Sequence, residues 1–163
     1  MPRVIKIIEG TCVDGPGLRT SIYFSGCEHR CQGCHNPESW DFMAGEKMTN
    51  QEILDIIEKN DFNVTFSGGD PFFQASELIP LAREIKKIGK NIWCYTGFLF
   101  ENLVAVPKHE ELLRYIDVLV DGPYIEALRN PALRFKGSSN QRIINCKHSN
   151  EEKIVLWNDS TDR

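Results

Sequence analysis

The sequence lacks any hydrophobic run that could cross a membrane. Among its 163 residues, the longest apolar stretches, such as residues 53–57, are short and interrupted, whereas a spanning helix needs about 20 apolar residues. Residues 1–6 also lack the apolar block and the small-residue cleavage site of a signal peptide. We therefore expect a protein of the cytoplasm that does not bind membranes.

An excess of basic residues is also missing. Lys and Arg number 19 against 23 Asp and Glu, and the formal net charge is −4, so the basic footprint of a nucleic-acid-binding protein is absent.

Repeats, low-complexity segments and Pro- or Ser-rich linkers are absent as well. The length suits one domain. We expect residues 1–163 to form it, with a polar tail that frays from about residue 158.

Cysteine, in contrast, is plentiful. A cytoplasmic chain rarely forms disulfides, so clustered cysteines in such a chain more often bind a metal or take part in chemistry. Three of the six cysteines, Cys27, Cys31 and Cys34, form a C-x3-C-x2-C pattern. The remaining three are scattered and are expected to be structural or incidental: Cys12, Cys94 and Cys146.

The C-x3-C-x2-C loop is compatible with two kinds of metal site. A structural zinc site usually takes four protein ligands, often as two separated pairs; a second pair is absent, but His29 or His35 could supply the fourth ligand. An iron–sulfur cluster normally takes four cysteines, so three would leave one iron open to an exchangeable ligand. Gly26 and Gly33 give the loop the freedom to wrap around a compact cluster.

Strand-like and helix-like segments alternate along the chain. Residues rich in β-branched and aromatic side chains predict strands at 20–25, 63–67, 91–95 and 117–120. Apolar residues at helical spacing predict helices after a capping box at residues 49–52, at 76–88 and at 110–115. Such alternation indicates an α/β fold with a parallel sheet and right-handed crossovers.

Each predicted strand is followed by an unusual loop. The cysteine cluster follows the first strand, and Ser-Gly-Gly-Asp-Pro at residues 67–71, Thr-Gly at 96–97 and Asp-Gly-Pro at 121–123 follow the others. Parallel α/β sheets and barrels bind ligands at the carboxyl ends of their strands. We therefore expect these loops to form one site.

The cysteine loop resembles the signature of radical S-adenosylmethionine enzymes. The resemblance implies that Cys27, Cys31 and Cys34 hold one [4Fe–4S] cluster, whose open iron binds the methionine part of S-adenosyl-L-methionine. The residue before the third cysteine is often aromatic in that superfamily and helps to hold adenine. Here it is Gly33, so adenine is expected near the backbone of Gly33 and near His35.

The Ser-Gly-Gly-Asp-Pro segment is by itself a tight turn. It is not a P-loop, because the spaced second glycine and the Gly-Lys-Ser/Thr ending are absent. It resembles the GGE-type motif of the same superfamily, which implies that Gly68, Gly69 and Asp70 hold the methionine ammonium group. Glycines let carbonyl oxygens approach a cation closely, and a neighbouring carboxylate adds a charged acceptor. Aspartate here replaces the more usual glutamate.

Further segments resemble the activases of glycyl radical enzymes. Asp-Gly-Pro-Gly-Leu-Arg at 14–19, Cys-His-Asn-Pro at 34–37 and Trp-Asp at 40–41 carry this likeness. Val-Asp-Gly-Pro at 120–123 together with Phe-Lys-Gly-Ser-Ser-Asn-Gln-Arg at 135–142 is similar to the activases of anaerobic ribonucleoside-triphosphate reductases. An incomplete TIM-like βα barrel with a curved, mostly parallel sheet is then expected, because a full barrel needs about 200 residues or more.

The resemblance implies an oxidoreductase whose substrate is another protein. A 5′-deoxyadenosyl radical would take hydrogen from a glycine of the large reductase subunit, with electrons from a low-potential donor such as flavodoxin. A catalytic side-chain base is not required, because that radical accepts the hydrogen. Three other hypotheses about the function remain open: an activase of another glycyl radical enzyme, of the pyruvate formate-lyase type; an iron–sulfur electron carrier; or a zinc-binding module. Arg142 could contact a substrate or partner, but we expect it to be simply exposed.

Overall fold

The computed structural model describes residues 1–162, which form one mixed α/β sheet with helices packed on it. The strands of the sheet are β1 (Arg3–Thr11), β2 (Arg19–Phe24), β3 (Glu46–Lys47), β4 (Asn63–Gly68), β5 (Ile92–Tyr95), β6 (Val118–Asp121) and β7 (Arg142–Asn145). The α-helices are α1 (Asn50–Asn60), α2 (Ala75–Lys87), α3 (Phe100–Val104) and α4 (Pro107–Leu113). Within residues 1–162, none of these helices combines the length and the apolar character needed to cross a bilayer.

The centre of the sheet is parallel and its margins are antiparallel. In the strand order β3-β1-β2-β4-β5-β6-β7, β2, β4, β5 and β6 pair in parallel. β1 and β7 pair antiparallel with their neighbours, and β3 pairs antiparallel with β1. The sheet is open, with β3 and β7 at opposite edges. The predicted α/β class and its four parallel strands are confirmed, whereas the three antiparallel strands were not predicted.

The helices cover one face of the sheet and form the main core with it. α1 begins with the predicted capping box, in which Thr49 and Glu52 satisfy each other's backbone N–H groups. Its buried face carries Ile53, Leu54 and Ile57. α2 likewise buries one face of its helix against the sheet. Apolar residues at helical spacing therefore fix which side of each helix meets the strands.

The opposite face of the sheet is more polar and remains partly open. Side chains alternate between the two faces of a strand, so Ile22 and Phe24 of β2 join the helical core while Arg19 and Tyr23 point to the other face. At one end of that face, Trp93 packs edge-to-face against aromatic rings at 135 and 157. This aromatic cluster covers part of the open face, and its Phe135 also lines a cleft on that face.

A buried arginine fixes the floor of the open face. Arg19, from the Asp-Gly-Pro-Gly-Leu-Arg segment, is 1% exposed, and its guanidinium lies over the ring of Trp93 at 5.6 Å. It donates hydrogen bonds to four acceptors: the Val64 carbonyl (2.8 Å), Thr65 Oγ1 (2.8 Å), Asn91 Oδ1 (2.6 Å) and the Pro16 carbonyl (3.3 Å). Burial lowers the pKa of Arg19 to about 10, so the group stays charged at neutral pH. Arg19 therefore ties the loop before β2 to β4 and β5.

Replacing Arg19 with methionine removes these hydrogen bonds while keeping much of the side-chain volume. Because buried acceptors such as the Val64 carbonyl then lose a charged donor, we expect the free energy of unfolding to fall by about 3 kcal/mol. Urea titration followed by circular dichroism measures the change. The exposed Arg129 offers a control, since Arg129→Met should cost less than about 0.5 kcal/mol. Equal effects of the two substitutions would contradict the role given to Arg19.

Candidate functional site

The unusual loops predicted from the sequence meet at one cleft of about 500 Å³ at the carboxyl ends of the parallel strands. Its lining comes from the cysteine loop, the Gly-Gly turn after β4, the Thr-Gly pair after β5 and the segment after β6. Because parallel strands end at the same edge, loops distant in sequence become neighbours there. The structure confirms that these loops come together and line one cleft.

All three clustered cysteines line this cleft. Cys27 is buried, Cys31 and Cys34 are half-buried, and all carry free thiols. Burial raises the pKa of the Cys27 thiol to about 11, although backbone N–H groups of His29 and Arg30 favour the thiolate. A metal ion binds thiolate rather than thiol, so metal binding by Cys27 would release a proton.

The three thiols on the cleft are the kind of donor that an iron–sulfur cluster takes. Within residues 1–162, the side chains of His, Cys, Asp and Glu do not form any group of three or more arranged around a single metal ion. In a [4Fe–4S] cluster each cysteine binds its own iron, so the sulfurs need not converge on one point. Cys12, Cys94 and Cys146 lie outside the cleft lining; they are exposed, buried and half-buried respectively.

The Gly-Gly turn packs directly against the base of the cysteine loop. Gly69 N–H donates to the Phe24 carbonyl (2.8 Å), and Asp70 N–H donates to the Gly26 carbonyl (2.9 Å). A Cβ on Gly69 would lie 2.6 Å from the Gly26 oxygen and 2.8 Å from the Ser39 oxygen. At Gly68, where φ is +103°, a Cβ would lie 2.3 Å from the Phe24 nitrogen. Both glycines are therefore required for the approach of these backbones.

The carboxylate of Asp70 lies behind the cleft wall. The residue is 0% exposed and is not part of the cleft lining. It accepts hydrogen bonds from Phe72 N–H (3.0 Å), Thr96 Oγ1 (2.8 Å) and Gly97 N–H (2.9 Å), and His29 Nε2 lies 2.7 Å from it. The sequence predicted Asp70 as a direct contact of the methionine group, whereas protein donors surround the carboxylate in the structure.

The two residues expected near adenine differ in their placement. His35 is exposed and lines the cleft, with its ring 5.3 Å from that of Tyr124. Gly33 has a left-handed backbone (φ +75°), and a Cβ there would lie 2.8 Å from Cδ of Glu126. Gly33 itself is outside the lining. Tyr124, which sequence reasoning missed, supplies the aromatic ring on this side of the cleft; its position directly after Asp-Gly-Pro was the available signal.

The far side of the cleft carries polar residues that sequence reasoning also missed. Tyr23 donates a hydrogen bond to Asp14 Oδ2 (2.6 Å), and Lys6 Nζ lies 4.8 Å from the centre of the Tyr23 ring. Burial, followed by the hydrogen bond to Asp14, raises the pKa of Tyr23 well above its usual value. Tyr23 is therefore a neutral hydrogen-bond donor fixed in the wall.

The Gly-Ser-Ser-Asn-Gln-Arg segment binds the loop that follows β6. Gln141 Oε1 accepts from Gly137 N–H (2.8 Å), and its Nε2 donates to the Gly122 carbonyl (3.0 Å). Asn140 Nδ2 donates to the Pro123 carbonyl (2.7 Å). These amide side chains hold two loops together as one wall of the cleft.

Arg142 was predicted to be exposed, and this prediction was wrong. Its side chain is 31% exposed and pairs with Asp121, which is fully buried, and with Glu101. These two carboxylates raise the pKa of Arg142, and Arg142 lowers the pKa of Glu101. The pairing links β7 to the end of β6 and to α3, because a buried carboxylate requires charged or polar partners.

Most of the chain is similar to known proteins. A family model described as a 4Fe-4S single cluster domain matches residues 13–144. The anaerobic ribonucleoside-triphosphate reductase-activating protein of Haemophilus influenzae is 35% identical over 145 residues, covering 83% of this chain and 92% of that protein. The protein of that name from Vibrio cholerae is 38% identical over 142 residues, covering 80% and 90%. The crystal structure of QueE from Escherichia coli gives a TM-score of 0.49 at 18% identity, covering 59% of this chain and 52% of that one.

Substituting alanine for Gly69 should disrupt the junction between the turn and the cysteine loop. The new Cβ would meet two backbone oxygens that cannot move independently, so we expect the free energy of unfolding to fall by about 3 kcal/mol. Gly89→Ala is the control: nothing lies within 4 Å of that Cβ and only the left-handed backbone is strained, which costs about 1 kcal/mol. Chemical denaturation measures both, and a Gly69→Ala variant no less stable than Gly89→Ala would refute the packing role of Gly69.

Proposed function

Since this chain belongs to the family of anaerobic ribonucleoside-triphosphate reductase-activating proteins, we propose that it activates the large catalytic subunit of such a reductase by forming a glycyl radical there. The observation that carries the proposal is the convergence of three free thiols and a Gly-Gly turn on one open cleft. The match to a 4Fe-4S single cluster domain supports the same chemistry.

The cofactors of this proposal are one [4Fe–4S] cluster and S-adenosyl-L-methionine. A bound, reduced cluster would supply the electron for cleavage of S-adenosylmethionine into methionine and a 5′-deoxyadenosyl radical, and that radical would take a hydrogen atom from a glycine of the reductase. Cys27, Cys31 and Cys34 would each bind one iron and leave the fourth for the methionine group. The protein's own part is ligation, orientation and the exclusion of water, and no side chain acts as a catalytic base.

The Gly-Gly turn is the proposed place for the methionine ammonium group. Gly68 and Gly69 line the cleft without side chains, so a cation can approach their backbone. Asp70 lies directly behind them, where a buried negative charge stabilises a cation through the wall. For adenine we propose the opposite side of the cysteine loop, with the Gly33 backbone, His35 and the neighbouring Tyr124.

The open sheet suits a substrate that is itself a protein. We propose that this sheet is an incomplete TIM-like barrel and that its open side admits a glycine-bearing peptide loop of the reductase. The electron would come from a low-potential donor such as flavodoxin. Six free cysteines favour a reducing compartment such as the cytoplasm. Nucleic acid and membranes have no part in the proposed reaction.

Electron paramagnetic resonance of the candidate reductase tests this proposal directly. The protein is reconstituted anaerobically with iron and sulfide, then incubated with a reductant, S-adenosylmethionine and the reductase. We expect a doublet from a carbon-centred glycine radical, together with 5′-deoxyadenosine.

Other outcomes would favour a different function. A doublet on pyruvate formate-lyase instead would assign the chain to that activase type. A cluster that does not cleave S-adenosylmethionine would indicate an electron carrier, and tight zinc without a cluster would indicate a zinc-binding module.

Serine substitutions separate cluster ligands from the other cysteines. Serine at Cys27, Cys31 or Cys34 should reduce bound iron from about four per chain to less than one, because an alcohol does not replace the thiolate ligand. Serine at Cys12, Cys94 or Cys146 is the matched control and should leave the iron content unchanged. Iron analysis and the visible absorbance of the reconstituted protein measure both sets. Cluster loss in the control set would show that the ligands are assigned wrongly.

A further inference from the structure

A histidine inside the cysteine loop is directed at a buried carboxylate. Cys27 N–H donates to the Trp40 carbonyl (3.3 Å) at the start of the loop, and Cys34 N–H donates to the Cys31 carbonyl (3.1 Å) at its end. Between the first two thiols lies His29, whose side chain is 19% exposed and whose Nε2 lies 2.7 Å from Oδ2 of Asp70. The middle of the loop is thus connected to a residue in the turn that follows β4.

Asp70 holds His29 from a rigid position. Its carboxylate accepts hydrogen bonds from the backbone N–H groups of Phe72 and Gly97 and from Oγ1 of Thr96. These donors follow β4 and β5, so the carboxylate cannot rotate without breaking contacts to both strand ends. A charge-assisted hydrogen bond to such a fixed acceptor is stronger than an ordinary one, and it transfers the rigidity of the sheet to the loop.

Aromatic rings hold the imidazole from the sides. The ring of Phe98 meets it edge-to-face at 4.6 Å, and the ring of Phe73 lies 5.5 Å away. Gly97 leaves the space that the imidazole occupies, since a Cβ there would lie 2.5 Å from Cδ2 of His29. Both the position and the plane of the ring are therefore determined by residues outside the loop.

We propose that His29 is a positioning residue, whose hydrogen bond to Asp70 sets the spacing of Cys27 and Cys31 before the cluster is assembled. The inference rests on the proposed function, because it takes these thiols as cluster ligands. The proposal also gives the buried carboxylate of Asp70 a role. The carboxylate binds His29 and thereby holds the cysteine loop. His29 is then a support of the ligand loop and not itself a ligand to iron.

Thiol alkylation of the metal-free protein tests this proposal without requiring a cluster. Cys27 is 8% exposed, so iodoacetamide reaches it only when the loop opens. We compare His29→Leu, which removes the hydrogen bond, with His29→Gln, whose amide N–H can still donate to Asp70. Peptide mapping by mass spectrometry then gives a separate rate for each cysteine, and the buried Cys94 reports global unfolding.

We expect His29→Leu to raise the alkylation rate of Cys27 about tenfold, the effect of losing one hydrogen bond to a charged group. His29→Gln should remain within about twofold of wild type, as should the rate at Cys94 in both variants. His109→Leu is the packing control, because the His109 ring also touches Phe98 and Phe72 but not Asp70. It too should leave Cys27 protected.

Four outcomes would overturn the proposal. Unchanged labelling in His29→Leu would show that the loop holds its shape without the hydrogen bond. Equal exposure in the Leu and Gln variants would show that the imidazole itself is needed, and equal exposure in His109→Leu would show a general packing effect. Faster labelling of Cys94 would indicate global unfolding.

A second measurement separates failure of this inference from failure of the proposed function. After reconstitution, the iron content and the electron paramagnetic resonance signal of the reduced cluster, with and without S-adenosylmethionine, are recorded for wild type and variants. We expect His29→Leu to hold less than half of the wild-type iron and His29→Gln to restore it. If wild type holds no cluster, the proposed function fails, while the alkylation rates still decide the role of His29. If Gln retains the iron but changes the signal, His29 is a ligand and the positioning role is wrong.

Discussion

The close approach of two backbones at the carboxyl edge of the sheet determines the rest of the site. The turn after β4 lies against the start of the cysteine loop because Gly68 and Gly69 have no side chains. Hydrogen bonds from Gly69 and Asp70 to the loop base then fix the register of the two segments. A cluster and the methionine group of its partner cofactor must touch, so the segments proposed to bind them must also be adjacent. The glycines make that adjacency possible.

The two faces of the sheet differ in role: one packs against the helices and stabilises the fold, and the other carries the candidate site. The helical face supplies an apolar core from residues with helical and alternating periodicity. The other face carries Arg19, Tyr23 and Trp93, which need specific partners rather than general burial. Buried polar groups of this kind cost free energy unless they are satisfied, and the hydrogen bond from Tyr23 to Asp14 satisfies one such group in the lining of the cleft itself. The stability of this face and the shape of the site therefore have the same physical origin.

The sequence predicts those parts that depend on local pattern. The four parallel strands, the capping box of α1 and the gathering of the loops follow from periodicity and turn residues. β1 was missed because register shifts near Lys6 and near Thr11 interrupt its alternation, and β7 and α3 were missed because four or five residues carry little periodicity. The pairing of Arg142 with Asp121 depends on strands β6 and β7 meeting, which no local pattern reveals.

The aspartate that replaces glutamate in the Gly-Gly motif shows how local and tertiary constraints combine. Asp70 caps the 3-10 helix Pro71–Gln74 by accepting from Phe72 N–H, two residues further along the chain. Short Asp and Asn side chains make this contact readily, and a glutamate, one methylene longer, would carry its carboxylate past it. The same short reach brings the remaining lone pairs to Thr96 and His29. The short aspartate thus places the acid in a buried junction, where one carboxylate contacts both the turn after β4 and His29 of the cysteine loop.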